Sequence, residues 1–478
     1  MLYPGGINPF LNLNYELALE SLGNEYFDRI QPANFAQHIL RFRNDNLLPI
    51  LGLNFNTVTD KHFIDFSGRF LGKQSCLALR YHGHQFGQYN PYLGDGRGFL
   101  YGQARGIDGL LYDFGTKGSG QTPYSQSRDG RLTLKSGVKE VLVGEALHDL
   151  GVRTSRCISL IETEAFTRDN ELIRGAVMVR LSRSHLRFGT LERLEYYDRP
   201  DLIKQLLDHV IQYYYPHLLQ QPDRYINFYA ELVQRIAQLV AQWMAGGFCH
   251  GVLNTDNMSI TGESFDYGAC AFIDTYNPTF TAANFDRQGR YSYRNQPGAC
   301  RWNLEMLQRP LSAVIPVPEM ATALDTFSES YTHYYHQLML QKLGFDRLPF
   351  LETEALIDLT LQFLFLTKVN YGKFFSELRQ KFSLQWCKDP NCIVQDLKFL
   401  VSGEEVDILK RWCWLYHQLL VGRSPKEIEL IAQRLSRVNS TVTLLESEIE
   451  TIWQAIEKND NWQPFTDFLN NFPTPFLP

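Results

Sequence analysis

The chain has 478 residues, of which 44% are hydrophobic and 21% charged, a composition typical of folded globular proteins that excludes a disordered or fibrous one. Its 46 Lys and Arg against 52 Asp and Glu give a net charge of −6, without the basic excess of nucleic-acid binders. A chain of this length is expected to form about two or three lobes, and we expect it to be a monomer.

Signals for targeting, membranes and metal-binding cysteines are weak. The stretch MLYPGGINPFLNLNYE (1–16) has neither the order of a signal peptide nor the arginine content of a mitochondrial presequence. The longest apolar runs, such as LTLQFLFL (359–366), are far shorter than a bilayer span. The eight cysteines are scattered without a CxxC pair, which favours reduced thiols and argues against zinc. We therefore expect a cytoplasmic protein that binds neither membranes nor nucleic acid.

In the first 120 residues the pattern changes from short helices and loops to strands. YELALESLG (15–23) has leucines at helical spacing and a terminal glycine, which predicts a helix. Strands are predicted at CLALRY (76–81), GFLYGQ (98–103) and LLYDFGTK (110–117), with a glycine-rich loop between the first two. This region is expected to form a small, glycine-rich sheet.

The rest of the chain is predicted to be largely helical. VKEVLVGEALHDLG (138–151) has helical periodicity and a closing glycine, and AVMVRLS (176–182) is a further strand. Helices are predicted at 202–219 and 230–246, and almost continuously from 303 to 478, where SPKE is a capping box with proline in the first turn.

This order predicts an α+β, bilobal, protein-kinase-like fold that binds nucleotide between a β-rich N-terminal lobe and a larger α-rich C-terminal lobe with extra C-terminal helices. The expected parts are an N-terminal extension packing on the small lobe (1–70), the β-rich nucleotide-binding lobe (71–190), the catalytic and metal-binding part of the large lobe (191–310) and its helical C-terminal part (311–478).

The stretch FCHGVLNTDNMSITGESFDYG (248–268) contains the densest group of polar side chains, with His250, Asn254, Asp256 and Asn257 followed by Asp266. Carboxylate and amide oxygens are the ligands of hard divalent cations. A histidine-led loop ending in Asn, then an Asp-aromatic-Gly, is the order found in kinase-like phosphoryl-transfer sites. Alternatively, the histidine could be a core residue bonded to a backbone carbonyl, and the others turn formers. The strongly apolar helix before the loop favours a site.

Two further features suit nucleotide binding. In LGDGRG (93–98), Gly94 and Gly96 let backbone N–H groups approach phosphates, and Arg97 adds a charged fork, although a tight hairpin turn is the alternative. Lys117 ends a predicted strand, where kinase-like sites place a phosphate-binding lysine steadied by a helix glutamate. Both Glu140 and Glu145 on the next predicted helix could be that partner, and helical spacing does not choose between them. A solvated lysine is the alternative.

A pair of arginines, Arg180 and Arg187, also suits nucleotide binding, and Arg183 and His185 lie between them. Guanidinium groups seven residues apart could converge on one phosphate if the segment bends. Surface ion pairs are the alternative interpretation.

The chain resembles the selenoprotein O family over most of its first 310 residues. The resemblance is carried by YHGHQFGQYNPYLGDGRG (81–98), KGSGQTPYSQSRDGR (117–131), VRLSRSHLRFGT (179–190), GFCHGVLNTDNMSITGESFDYG (247–268), GRYSYRNQP (289–297) and RWNL (301–304). The resemblance implies a protein-kinase-like fold that transfers AMP from ATP to Ser, Thr or Tyr hydroxyls of proteins, with ATP bound in the opposite sense to that in ordinary kinases.

The resemblance also implies residue roles. Asp256 would be the proton acceptor, Asn257 and Asp266 would hold Mg²⁺ or Mn²⁺, and Glu140 would be the partner of the lysine. ATP would be bound by Gly94, Gly96, Arg97, Lys117, Asp129, Gly130, Arg180, Arg187 and Asp266. Protein kinases place the catalytic Asp two residues after the His, but position 252 is Val here.

Some features depart from the family. No cysteine follows Cys413, and FTAANFD (280–286) has alanines where relatives often have cysteine, so a redox switch is not expected. Gly98 and Gln126 differ from the commonest family residues at positions expected to tolerate change. Three alternative functions stay open: UMP transfer from UTP, γ-phosphoryl transfer as a kinase, and a nucleotide-binding pseudokinase scaffold without turnover.

Overall fold

The protein, a computed structural model, is described over residues 8–472 except 74, 127, 128, 398, 400–402 and 441. The strands are β1 (Tyr15–Glu16), β2 (Phe27–Ile30), β3 (Ile39–Arg43), β4 (Cys76–Leu79), β5 (Gly83–Gln85), β6 (Gln88–Asn90), β7 (Leu100–Arg105), β8 (Leu111–Lys117), β9 (Leu132–Thr133), β10 (Arg156–Arg168), β11 (Glu171–Ser182), β12 (Phe248–Cys249) and β13 (Ala271–Phe272). The predicted mixture of an antiparallel sheet and many helices is confirmed.

The helices lie mostly after the sheet. They are α1 (Asp60–Phe63), α2 (Leu134–Asp149), α3 (Phe188–Tyr196), α4 (Pro200–Tyr214), α5 (Arg224–Gly246), α6 (Gln296–Leu311), α7 (Val317–Asp325), α8 (Phe327–Lys342), α9 (Phe350–Thr367), α10 (Tyr371–Lys381), α11 (Pro390–Leu397), α12 (Glu404–Leu420), α13 (Pro425–Val438), α14 (Glu446–Asn459) and α15 (Gln463–Asn470). Among the described residues, no helix combines the length and apolar character needed to cross a membrane.

The main sheet is antiparallel, with strand order β2-β4-β7-β8-β11-β10-β3, β1 beside β7 and β9 beside β11. In the β8–β11 ladder, Lys117 lies opposite Met178, and Arg180 lies opposite Gly115. Directly opposed residues share a face, and side chains alternate between faces along a strand. The register therefore sends Lys117 and Arg180 to the same face of the sheet.

The two faces of the sheet are covered by different parts of the chain. Along β11, Ala176 and Met178 belong to the core shared with α2, while Val177 and Val179 belong to a second core. That second core is completed by aromatic residues of the N-terminal segment, including Phe10, Phe35, Phe63 and Phe66. Because the face of Met178 is also that of Lys117 and Arg180, both cations point towards α2.

Most of the predicted elements are confirmed with shifted ends, but the helix predicted at 15–23 is wrong. Tyr15 and Glu16 instead form a short strand paired with β7, and only a 3-10 turn at Glu20–Leu22 follows. The backbone of Leu19 donates to the side chain of Gln103, so long-range contacts with β7 outweigh the local helical spacing. The terminal glycine of the segment does cap that turn, with φ of +97°.

The last helices return to the first part of the chain. Lys135 on α2 is 2.6 Å from Glu450 on α14, and Arg174 on β11 is 2.7 Å from Asp460. All eight cysteines lie among the described residues as free thiols, as the scattered spacing predicted. Of the terminal stretch that lacks cysteine, residues 473–478 lie outside the described residues.

Candidate active site

A cavity of about 320 Å³ lies between the glycine loop, the ends of β8 and β11, and the loop that joins β12 to β13. It brings together side chains and backbone that are far apart in sequence. Seven of the predicted nucleotide-binding residues line it: Gly94, Gly96, Arg97, Lys117, Arg180, Arg187 and Asp266.

The glycines of the loop permit close packing. A Cβ at Gly94 would lie 2.3 Å from the ring of Tyr124, so the loop could not approach residues 122–126 with any larger residue. A Cβ at Gly98 would lie 2.0 Å from the carbonyl oxygen of Thr116. The expectation that position 98 tolerates change is therefore wrong, because the obstacle is the backbone of the neighbouring strand.

Lys117 is the centre of a buried charge cluster. Its Nζ contacts Oε1 of Glu140 and lies 2.6 Å from Oδ1 of Asp266. The side chains of Lys117 and Glu140 are 6% and 3% exposed, so the solvated alternative does not describe this lysine. Glu145, which lies five residues further along α2 than Glu140, pairs instead with Arg156 at the start of β10. Of the two glutamates that the spacing left open, Glu140 contacts the lysine.

Asp266 has an unusual backbone conformation and a perturbed pKa. Its φ is +66°, a left-handed value that costs energy for a residue with a Cβ and is concentrated at functional sites. Burial alone would raise the pKa of Asp266, but the charges of Lys117, Arg180 and Arg97 outweigh burial and hold the pKa well below its usual range. Asp266 is thus an ionised carboxylate at the cavity wall.

Two buried guanidinium groups have unused donors. Arg180 lies 3.7 Å from Oε2 of Glu140, and Nη1 of Arg187 donates to the carbonyl of Asp256 over 3.0 Å. Within the described residues, Nε and Nη1 of Arg180 and Nε of Arg187 are buried without a hydrogen-bond partner. Buried donors are normally satisfied, and guanidinium groups favour phosphate. The arrangement fits an anionic ligand in the cavity.

Asp256 lies in the 3-10 turn Thr255–Asn257 and is 7% exposed. Burial raises its pKa to about 7, and the charge of Arg187 and a side-chain hydrogen bond from Gln85 act against that rise. Its Oδ1 has no hydrogen-bond partner among the described residues. Asp256 is not itself among the described residues that line the cavity, but its backbone carbonyl accepts a hydrogen bond from the lining residue Arg187. A carboxyl with this pKa can accept a proton near neutral pH.

The other polar residues of the loop are engaged in structure. Nε2 of His250 is 2.9 Å from the carbonyl oxygen of Phe265, and the ring is buried. This is the core histidine of the alternative interpretation, and it ties the start of the loop to the residue before the Asp-Tyr-Gly. Oδ1 of Asn254 accepts from the hydroxyl of Tyr291 and from the backbone of Phe86. Both contacts position the loop.

Asn257 and Asp266 are the residues that could hold a cation. Nδ2 of Asn257 donates to the carbonyl of Val252 over 3.0 Å, which leaves Oδ1 as the available ligand atom. No group of three His, Cys, Asp or Glu side chains in the described ranges could hold a metal on its own. Mg²⁺ is commonly bound by one or two protein oxygens, and phosphates complete its coordination shell. The oxygen chemistry of the two residues suits a divalent cation, although only Asp266 is among the described residues that line the cavity.

The described contacts of Asp129 and Gly130 are with residues that do not line the cavity. Oδ1 of Asp129 accepts from Arg168 at 3.2 Å, and its side chain is 40% exposed. Gly130, with φ of +69°, lies against the carbonyl of Gly120. Among the residues that the structure describes, the cavity lining does not include this pair.

The structure adds residues that the sequence reasoning missed. The carboxylate of Asp95, between the two loop glycines, accepts from the backbone of Leu79 and lies 3.4 Å from Arg187. Arg187 also stacks over the ring of Tyr81, 4.4 Å from its centre. Asp95 could have been identified from the sequence, because it is an acidic residue inside a glycine-rich loop. The tyrosine is 106 residues away in sequence, so no local pattern could have identified it.

Comparison with known proteins confirms the resemblance. A family model described as protein adenylyltransferase SelO matches residues 9–472. A protein nucleotidyltransferase YdiU of Trichormus variabilis is 56% identical over 468 residues, covering 97% of this chain and 96% of the relative. Proteins of the same name from Trichodesmium erythraeum and Pseudomonas fluorescens are 55% and 42% identical, covering 97% and 77% of this chain and 98% and 75% of the relatives. This chain belongs to the protein adenylyltransferase SelO family.

Proposed function

We propose that this protein transfers AMP from ATP to Ser, Thr or Tyr hydroxyls of proteins and releases pyrophosphate. The observation that carries the proposal is the cavity in which Lys117, Arg180 and Arg187 converge, with buried N–H donors that no described residue satisfies. Such donors suit the phosphates of a nucleotide. Asp256, a buried carboxyl with a pKa of about 7, contacts the lining residue Arg187 of the same cavity.

The proposed arrangement is a bilobal, protein-kinase-like fold with ATP between the lobes, divided near residues 70, 190 and 310. The glycine loop would approach the phosphates through its backbone, while Arg97, Lys117, Arg180 and Arg187 would neutralise their charge. Asp129 and Gly130 are included on the family resemblance alone, because their described contacts are with Arg168 and Gly120.

In the proposed reaction, the acceptor oxygen attacks the α-phosphorus and forms a new O–P bond. The bond from the α-phosphorus to the oxygen bridging the β-phosphorus breaks, and pyrophosphate leaves with that oxygen. The hydroxyl proton passes to the carboxylate of Asp256, whose Oδ1 has no competing partner among the described residues. Arg187 positions this base, since it donates to the Asp256 carbonyl. Lys117 and Arg180 would stabilise the charge that develops on the phosphate oxygens.

We further propose that Asn257 and Asp266 hold Mg²⁺ or Mn²⁺ together with the phosphates. Bound there, the ion would add positive charge at the phosphates. Lys117 already contacts Asp266 and would keep that carboxylate oriented at the cavity wall. The contact of Asn257 with Val252 fixes the amide so that its oxygen is the free atom.

Intact-mass spectrometry tests the proposal against the other three functions. The protein and candidate acceptor proteins are incubated with ATP or UTP, each with Mg²⁺ or Mn²⁺. The proposal expects the added mass of an AMP moiety with ATP. An added phosphate alone would identify a kinase, an added UMP moiety would identify UTP as the donor, and no added mass with either metal would favour a scaffold.

A further inference from the structure

A second cavity, of about 840 Å³, shares the β5–β6 hairpin with the first: Gln85 and Asn90 line the first cavity, and Phe86 and Gln88 line the second. Its wall combines aromatic rings with basic side chains. The residues that matter are Phe86, Phe285, Arg287, Arg290, Arg294 and Trp302. None of them belongs to the proposed nucleotide-binding or catalytic set.

The charge of this cavity is unusual for a chain with a net charge of −6. Within the described ranges, Arg287, Arg290 and Arg294 form no ion pair. The carboxylate of Asp286, which also lines the cavity, already accepts from the backbones of Arg290 and Tyr291. The described lining thus carries three guanidinium groups and one carboxylate, and this excess of positive charge favours an acidic ligand.

The aromatic part of the wall is held in a strained position. Phe86 and Gly87 form the two-residue turn between β5 and β6, with φ values of +52° and +83°. Asn or Gly normally occupies the first position of such a turn, because a bulky residue is strained there. The Phe86 ring packs 4.9 Å from the ring of Tyr291 and is 37% exposed. Strain retained in an exposed aromatic residue is typical of a functional position.

The hairpin connects the two cavities. Gln85 lines the first cavity, while its neighbour Phe86 lines the second. The backbone N–H of Phe86 also donates to Oδ1 of Asn254, two residues before Asp256. A polypeptide in the second cavity would therefore pass close to the proposed base. This is where an acceptor hydroxyl must be presented.

We infer that the second cavity binds the polypeptide segment that carries the acceptor hydroxyl, and that its arginines select segments with Asp or Glu near that hydroxyl. This inference rests on the proposed function and names its substrate class. Arg290 would form the base of the site, since its guanidinium lies 3.2 Å from the Cβ position of Gly87 and stacks 4.7 Å over Trp302. The exposed Arg287 and Arg294 would contact the acidic side chains.

The test uses matched peptides with a central Ser, Thr or Tyr flanked by Glu, Gln or Lys. AMP transfer is measured for the wild type and for the double variant Arg287→Glu/Arg294→Glu, which changes only exposed side chains. The KM for Glu-flanked peptides should rise about tenfold in the variant, with kcat and the Kd for ATP little changed. Arg301→Glu on α6 is the control, because Arg301 pairs with Asp325 outside the cavity, and it should behave as wild type.

A binding measurement separates the failure of this inference from that of the proposed function. Fluorescence anisotropy of labelled Glu-flanked and Lys-flanked peptides reports docking without turnover. Preference for the Glu-flanked peptide that is lost in the double variant supports the inference even if no AMP is transferred. Equal binding or equal transfer of Glu- and Lys-flanked peptides, or a preference that survives charge reversal, overturns it.

Discussion

The replacement Asp256→Asn should remove activity while stabilising the protein. The carboxyl is 7% exposed, and burial raises its pKa from 3.8 to about 7. In that pH interval the folded protein binds a proton that the unfolded chain does not, so folding stability falls as the pH rises. At about 1.4 kcal/mol for each pKa unit, the ionised carboxylate costs roughly 4 kcal/mol above pH 7.

Asparagine has nearly the same shape and carries no charge, so it avoids this cost. We expect the variant to exceed the wild type in unfolding free energy by up to about 4 kcal/mol near pH 8, with the difference shrinking as the pH is lowered towards 4. Denaturant unfolding should be followed in EDTA without nucleotide, so that metal binding does not contribute. AMP transfer should fall by roughly 10²- to 10⁴-fold, because the proton acceptor is gone.

The matched control is Asp325→Asn, at a carboxylate whose side chain is 77% exposed. Its stability should differ little from that of the wild type at any of these pH values. The reasoning is refuted if Asp256→Asn is less stable than the wild type near pH 8. It is also refuted if the variant keeps AMP transfer within a fewfold of the wild type.

Three further substitutions test the rest of the site. Glu140→Gln breaks a buried pair, so it should cost about 3 kcal/mol in unfolding free energy and raise the Kd for ATP about tenfold, measured by denaturation and calorimetry. Arg180→Met should weaken ATP binding and cost less stability than Glu140→Gln, because its contact with Glu140 is long, at 3.7 Å, and two of its nitrogens have no described hydrogen-bond partner; thermal shift with and without ATP measures both. Gly98→Ala should destabilise by about 1–3 kcal/mol, because its Cβ would meet a backbone oxygen, and denaturant unfolding measures the loss.

The glutamate and glycine substitutions each have a control on the same element or of the same type. Glu145→Gln breaks the pair with Arg156 and should lower stability while leaving ATP affinity unchanged. Equal losses of ATP affinity in both glutamate variants would contradict the role of Glu140. A loss of stability in Arg180→Met as large as that in Glu140→Gln would contradict the view that Arg180 serves mainly to bind ATP. Gly298→Ala, where nothing lies within 4 Å, should not destabilise, and a similar cost at both glycines would contradict the steric argument.

The sequence predicted the components of the cavity better than their partners. The glycines, the strand lysine and the two arginines were predicted from their order in the sequence, and all of them line the cavity. They could be predicted because each of these residue types has few ways to bind a phosphate. Helical spacing could not decide whether Glu140 or Glu145 contacts Lys117. Because α2 is buried on several sides, both glutamates are buried and each needs a cation as its partner. Lys117 supplies one and Arg156 the other, and only the sheet register determines which.

Local spacing failed where distant strands decide the conformation. The leucines at 15–23 have helical spacing, but pairing with β7 outweighs it. The tolerance expected of position 98 failed for a related reason, since the oxygen of Thr116 that fills the space belongs to the next strand. The strained Phe86 turn could not be recognised from the sequence either, because Phe is among the least expected residues there.

The surroundings of Asp256, the proposed base, show how one arginine links these parts. With Val at position 252, a kinase-type loop has no aspartate in the expected place, and the carbonyl of Val252 instead holds the amide of Asn257. Asp256 is positioned by Arg187, which also contacts Asp95 in the glycine loop. Arg187, which we propose to bind phosphate, therefore also contacts the proposed base and the glycine loop. Replacing Arg187 should impair ATP binding and proton transfer together, whereas replacing Asp256 should impair only the second.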